Sequence, residues 1–297
     1  MPAPEIQQLN SPPSLDKPVT CVLIDGSITY SADLRSQAEM AFTLPTPVGE
    51  SPPFYLLSYK GTPYYYVHFH GVDFTTASKN VQVGFTGTWY VIHKLGVRDA
   101  ISGAAAGSIH PDMKPGDLVV MDDFVDFSTH RPRSMLTEIW ERPPWIGAQY
   151  VPPLCPELTN IIRQCAKSYT RGKVFETGTF GQFEGHRFES PGEIRMAKAV
   201  GADMVAHHQS SEAIYARELG VHYGAIDYIT NIAAGLSSAE EAFVSDAEAK
   251  LGYEQCKNIM LEAIMLASQR TPACTVCPQS DEQPVDVKNV TAKPVYR

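Results

Sequence analysis

Residues 202–231, ADMVAHHQSSEAIYARELGVHYGAIDYITN, decide the fold class. A short apolar run, ADMVAHH, reads as a strand. SSEAIYARELG has helical spacing and stops at Gly220, and VHYGAIDYITN reads as the next strand. A helix between two strands is the unit of a sheet covered by helices. In such sheets ligands sit at the carboxyl ends of strands. The adjacent imidazoles of His207 and His208 fall at such an end.

The same alternation continues upstream. ESPGEIRMAKAV has a strong helix start: Ser190 as N-cap, Pro191 at the first helical position and Glu193 closing a capping box. KVFETGTFGQFEG is expected to be a strand ending at Glu184-Gly185, PELTNIIRQCAKSYT a helix, and GDLVVMDDFVDF and DAISGAAAGSI strands. Residues 79–96 carry a helical pattern ending at Gly96. FYLLSYKGTPYYYVHFHG is a β-hairpin turning at Lys60–Pro63, and VTCVLIDGS is a buried strand entering the turn Asp25-Gly26-Ser27. Downstream, helix is expected from Ser237 to about Gln269, capped by Ser237 or Ser238. The expected organisation is an N-terminal arm over 1–18, one domain over 19–270 and a tail over 271–297. The hairpin makes the sheet mixed. Strand ends then carry Ser27, His70, Ala105 to Ser108, Glu184, His207, His208, Thr230 and Asn231.

Of the 297 residues, 43% are hydrophobic, enough for a sizeable core, and the formal charge is −9. An acidic balance with no basic block argues against a nucleic-acid partner. No apolar run is long enough to cross a membrane, and the start, MPAPEIQQLNSPPS, lacks the basic and apolar regions of a signal peptide. A cytoplasmic protein is expected. Six cysteines fit a reducing compartment. Cys274 and Cys277 form one CxxC in a polar tail; one such pair does not define a zinc or redox site, and no metal is expected.

SGAAAGSIHPDMKPGDLVVMDDFVDFSTHRPRS, over 102–134, resembles the central block of the purine nucleoside phosphorylase and methylthioadenosine phosphorylase family, with its small-residue strand end, PGD motif and RPxS. EGHRFESPGEIRMAKAVGADMVAHHQSSEAIYARELG and YGAIDYITNIAAG are similar to the next two blocks, so the resemblance spans about residues 20–265. It implies a single-domain α/β fold, a mixed β-sheet with a distorted barrel flanked by helices, in a homotrimer. It also implies cleavage of the N-glycosidic bond of a purine nucleoside, with phosphate as co-substrate and no cofactor. The sugar becomes oxocarbenium-like while the base gains negative charge, and donors aimed at such charge supply the largest catalytic contribution.

Carried over by motif, Glu189 matches the glutamate that accepts from N1–H of a 6-oxopurine, and Asn231 the asparagine that holds N7 and O6. Phe188 and Thr230 flank them. Ser27 matches the hydroxyl of the first phosphate turn, and Ala105 lies near the expected phosphate-binding amide. The rest of the phosphate site departs from the family. Val72 stands where an arginine is expected, Phe74 replaces a histidine, His207 replaces the ribose-contacting methionine and His208 the phosphate serine. Hydrogen bonds to a charged group contribute roughly 1.5–3 kcal/mol each. Losing an arginine and a hydroxyl therefore weakens phosphate by about 3–6 kcal/mol, or roughly 10²- to 10⁴-fold, unless something compensates.

Four readings of the histidines stand side by side. A pocket histidine replaces the lost cation and still binds phosphate or another anion. Or it is a general base that activates water, giving a nucleosidase. Or His207 or His208 joins His68 and His70, two residues apart on one strand face, in a metal site. Or the pair is polar packing at a strand end. Neighbouring side chains on a strand face opposite ways, so His207 and His208 are expected to act apart. Arg131 either helps to bind an anion or pairs with Asp126. Asp227, inside a strand, needs a partner or solvent. A repurposed member acting on a nucleoside-like metabolite, or a non-catalytic binding or storage protein, completes the alternatives.

Overall fold

The computed structural model describes residues 3–30, 34–71, 83–135, 149–185, 187–237 and 243–270, with Cys274 and Cys277 beyond them. Its strands are β1 (Ile6–Gln8), β2 (Cys21–Asp25), β3 (Met40–Thr43), β4 (Pro45–Thr46), β5 (Gly49–Glu50), β6 (Phe54–Tyr59), β7 (Thr62–His68), β8 (Asp99–Ser108), β9 (Leu118–Met121), β10 (Asp123–Asp126), β11 (Val174–Phe175), β12 (Thr179–Gln182), β13 (Met204–Ala206) and β14 (His222–Ile232). The helices are α1 (Ser27–Tyr30), α2 (Thr88–Lys94), α3 (Pro156–Ala166), α4 (Pro191–Ala199), α5 (Gln209–Glu218) and α6 (Asp246–Ser268).

Twelve strands form one mixed sheet, with β4 and β5 apart as a small ribbon. β2 pairs parallel with β7 and β8, and β8 parallel with β14, while β13 runs antiparallel to β8. Every residue of β2 is buried, as expected of a strand covered on both faces. The alternation of side chains sorts its residues between two cores. Val22 and Ile24 join Trp89, Ile92, Ala213 and Tyr215 on one face. Cys21 and Leu23 join Leu158, Ile162, Ile259 and Ile264 on the other. The helices approach closely because β8 is built of small residues. A Cβ on Gly103 would lie 2.5 Å from Met260 Sδ.

Several elements are shorter than the sequence pattern predicts. GDLVVMDDFVDF breaks at Asp122, which accepts from Gly178 N, giving two strands with different partners. KVFETGTFGQFEG likewise divides into β11 and β12. The last helix starts at Asp246 under a Ser245 cap, nine residues after Ser237, because Phe243 first pairs with Asn231 as an isolated bridge. The arm contributes an edge strand: β1 pairs parallel with β3. The hairpin turns on Lys60 and Gly61 alone, both left-handed (φ 48° and 79°), so Pro63 lies within β7. The capping box at Ser190 and Glu193 forms as its residues dictate. Residues 79–82 lie outside the described residues.

Candidate active site

The register of β8 opens the site. On one edge β2 covers β8 only as far as Gly103, opposite Asp25. β13 covers Gly107 and Ser108 of that edge from the opposite direction. Between them, Ala104 to Ala106 have no strand partner on this edge among the described residues. The turn after β2 brings exposed Ser27 to this level, and the chain leaving β13 brings His207 and His208. Ala105 is half-buried in the opening.

One end of the opening holds Asn231 and Glu189, each 7% exposed. A register shift between Ile229 and Asn231 leaves Thr230 as the extra residue, and Asn231 pairs with Gly107. Thr230 Oγ1 then sits 3.0 Å from Asn231 Oδ1 and 3.3 Å from the Ala106 carbonyl, and Asn231 Nδ2 donates to Ile232 O at 3.2 Å. The amide needs Gly107 beside it, since a Cβ there would lie 3.0 Å from Nδ2. Glu189 is set by the entry to α4, one residue before the Ser190 cap. Its Oε1 is buried and accepts no hydrogen bond from the described residues. Burial raises its carboxyl above the usual range. Phe188 is 67% exposed and meets Phe243 edge-on, so it belongs to the rim rather than the core.

The histidines diverge. β13 ends at Ala206, so neither histidine is in the strand. His207 Nδ1 lies 3.8 Å from Glu189 Oε1. His208 turns the other way and stacks on His70, with ring centroids 4.2 Å apart and planes 3° from parallel. His70 Nδ1 is 2.6 Å from Glu212 Oε1, while Glu212 Oε2 accepts from Ser102 Oγ (2.7 Å) and Tyr223 OH (2.8 Å). This contact assigns the Nδ1 proton to His70 and directs Nε2 away from the carboxylate. Phe69, His70 and Gly71 all have left-handed φ (47°, 54° and 77°), a costly conformation for the first two. The His70–Glu212 bond and the stack on His208 oppose that cost.

This geometry corrects the expectation that His68 and His70 share one strand face. The strand stops at His68, whose Nδ1 meets Tyr66 OH at 2.6 Å, and the left-handed turn swings His70 to Glu212. Arg131 does not pair with Asp126. It is buried and donates to the His207 and Glu184 carbonyls, faces Glu184 Oε1 at 3.6 Å, and lies 4.5 Å over the Phe85 ring. Asp126 instead accepts from Ser128 and Gln182. Arg131 thus holds the backbone of His207. Asp227 gains its partner from Gln209, whose amide, turned so that its nitrogen can donate, reaches both carboxylate oxygens at 2.8 and 3.2 Å. Burial pushes the Asp227 carboxyl far up. Val72, Phe74 and most of the 135–150 loop lie outside the described residues.

Glu212, Ser102, Tyr223 and Phe85 escape a reading of the sequence. An acidic residue in a first helical turn is already explained by the helix dipole, so nothing marks Glu212 as buried.

Asp25, at the end of β2, is fully buried, and that burial pushes its carboxyl up to about 6, against the Thr29 N–H that donates to it at 2.6 Å. An unfolded aspartate titrates near 3.9. The folded chain therefore binds more protons between about pH 4 and 6. Asp25's contribution to stability is fully present below about pH 4 and is lost as pH rises through 6, a loss of about 3 kcal/mol. Asp25→Asn should accordingly gain on the parent chain by up to that amount at pH 8 relative to pH 4. Thermal melts at both pH values check this; an offset independent of pH would show an unshifted carboxyl.

An opened central strand, with a buried carboxylate, an amide and His207 at one end and the stacked His70 and His208 apart from them, fits a small-molecule site of an α/β enzyme. The model of the phosphorylase superfamily matches residues 31–264, and the chain belongs to that superfamily. It is similar to the 6-oxopurine nucleoside phosphorylase of Pyrococcus furiosus, 31% identical over 199 residues, 65% of this chain and 74% of that protein. A probable 6-oxopurine nucleoside phosphorylase of Thermococcus kodakarensis is 32% identical over 204 residues, 67% of this chain and 74% of that one. Among solved structures, a methylthioadenosine phosphorylase sourced from an Antarctic soil metagenomic library superposes with a TM-score of 0.77 at 21% identity, covering 92% of this chain and 95% of that chain. At that identity the likeness is one of fold, and the fold is that of the nucleoside phosphorylases.

Proposed function

We propose that this chain cleaves purine nucleosides by phosphorolysis and prefers a 6-oxopurine base. The observation that carries the reading is the buried Glu189 Oε1, which has no donor among the described residues. It sits in the same opening as Asn231, and its natural complement is the N1–H of a 6-oxopurine. The similar proteins named for 6-oxopurine nucleosides support the same choice. In the reaction a phosphate oxygen bonds to C1′ as the C1′–N9 bond breaks, giving ribose 1-phosphate and the free base. The electron pair of that bond spreads over the base toward N7 and O6, where the Asn231 amide would stabilise it.

Phosphate would lie against Ser27 and the free edge of β8 at Ala105. His70 and His208 stand in for the absent arginine, with His70 Nε2 directed away from Glu212. An imidazole is the weaker anion ligand at neutral pH, so saturation should need high phosphate. Helices long and apolar enough to cross a membrane are absent among the described residues. Assembly as a homotrimer in the cytoplasm, without a cofactor, completes the reading.

The test is base release from inosine, guanosine, adenosine and methylthioadenosine, with and without phosphate. Release from inosine and guanosine that requires phosphate is expected. Undiminished release in phosphate-free buffer would make the protein a hydrolase. No release from any of the four would leave a binding protein on this scaffold.

A further inference from the structure

A second cluster of chemistry-bearing side chains lies where the C-terminal segment meets the start of β14. Cys155 is the residue before α3, His222 opens β14, and Cys274 and Cys277 follow α6. All four are buried, and one ligand atom from each lies within 4.8 Å of the other three. Four ligands around one tetrahedral zinc, with Zn–S near 2.3 Å and Zn–N near 2.0–2.1 Å, stand about 3.3–3.8 Å apart. The set therefore needs a contraction of about an ångström or less. No disulfide joins any of the six cysteines. Cys155, His222 and Cys277 line a cavity of about 10 Å³, which holds one water-sized sphere.

We propose that Cys155, His222, Cys274 and Cys277 bind one Zn²⁺ in a closed Cys₃His site that pins the C-terminal segment to the core. The donor set fits the ion. Two thiolates come from a CxxC, the commonest half of a structural zinc site, and the other two ligands come from rigid element ends. Three thiolates and an imidazole leave the zinc complex with one net negative charge. Arg270 Nη1, which also pairs with Glu157 at 2.8 Å, lies 3.9 Å from Cys155 Sγ, and Arg217 lines the same cavity, so cationic side chains adjoin that charge. With four protein ligands no position remains for water, so the role is structural rather than catalytic. CxxC alone supplies only half the ligands. The fold adds one from 119 residues upstream of Cys274 and one at His222, and no spacing in the sequence reveals that. The tail read as polar is anchored by buried thiols.

The test is metal analysis of the full chain purified under reducing conditions. About one zinc per chain is expected, falling at least tenfold in Cys274→Ser and in Cys277→Ser. Both thiols are buried in the core, and serine keeps their size, so a thermal melt of each variant accompanies the metal analysis; His222→Ala gives a third reading from the sheet. Cobalt exchanged into the site should show the charge-transfer and intense visible bands of a tetrahedral thiolate complex. Folded, reduced protein that takes up neither zinc nor cobalt would overturn the proposal. So would zinc retained in both serine variants. Mass spectrometry after rapid alkylation that finds Cys155 bonded to Cys274 or Cys277 would also overturn it, by making the cluster a disulfide.

Discussion

Replacing Glu189 by glutamine is expected to lower kcat/KM for inosine about 10²-fold, and Asn231→Ala to lower it about as much by a different route. In the proposed reaction the glutamate would accept from the base in the ground state and transition state alike, so its loss should appear mainly in KM. A hydrogen bond to a charged group contributes roughly 1.5–3 kcal/mol, or about 10- to 10²-fold. Glutamine also places an amide nitrogen where N1–H needs an acceptor. The asparagine would meet charge that exists only as the glycosidic bond breaks, so its loss should appear mainly in kcat. Acid sharpens the test. Burial holds the Glu189 carboxyl above the usual range, with His207 Nδ1 3.8 Å away. The ionised acceptor is therefore lost on acidification at a higher pH than an ordinary glutamate would require, and KM for inosine should rise there. The Gln variant should not show that rise. Steady-state kinetics on inosine from pH 5 to pH 8 decide it; parent-like values in both variants would remove these residues from the base site.

The parts of the site that could be read from the chain are those whose chemistry is local. Ser190 announces its helix because a cap, a proline and a glutamate fall within four residues, and the capping box is there. Asn231 and Glu189 are singled out by motif alone, and both are buried. The opening between β2 and β13 is different. It depends on where two strands stop along β8, and the run of small residues at 103–107 signals only that something approaches closely. The histidines were harder still. Whether His70 faces His68 or Glu212 turns on three left-handed residues, Phe69 to Gly71, of which only the glycine advertises itself. Gln209 and Asp227 meet across a helix and a strand, and no periodicity links them. Likewise the helix expected from Ser237 starts late because Phe243 is captured by Asn231, a tertiary contact that overrides a good capping sequence.

Glu212→Ala should be the most damaging single substitution away from the base. The side chain is almost wholly buried and accepts from His70, Ser102 and Tyr223, each on a different element. Truncation leaves three buried donors without their acceptor, at about 1–3 kcal/mol for each group left unsatisfied. Some relief follows when the hydroxyls rotate toward other groups, so about 3–5 kcal/mol of stability should be lost, the scale of breaking a buried polar pair. The left-handed turn at 69–71 loses its tether at the same time, and with it the stack of His70 on His208. Glu212→Gln separates the two effects. Its carboxamide oxygen can still accept from His70 Nδ1–H, and its nitrogen can donate to the Ser102 and Tyr223 hydroxyls, which accept as readily as they donate. The Gln variant should therefore fold within about 1–2 kcal/mol of the parent, yet replace the carboxylate that accepts from His70 Nδ1 by a weaker, neutral acceptor. If His70 helps to hold phosphate, half-saturating phosphate should rise about tenfold in the Gln variant while KM for inosine stays within twofold. Denaturant unfolding of the Ala variant and phosphate titration of the Gln variant test this. A loss of under 1 kcal/mol in the first would show that the three donors find partners elsewhere. An unchanged phosphate dependence in the second would confine Glu212 and His70 to a structural role.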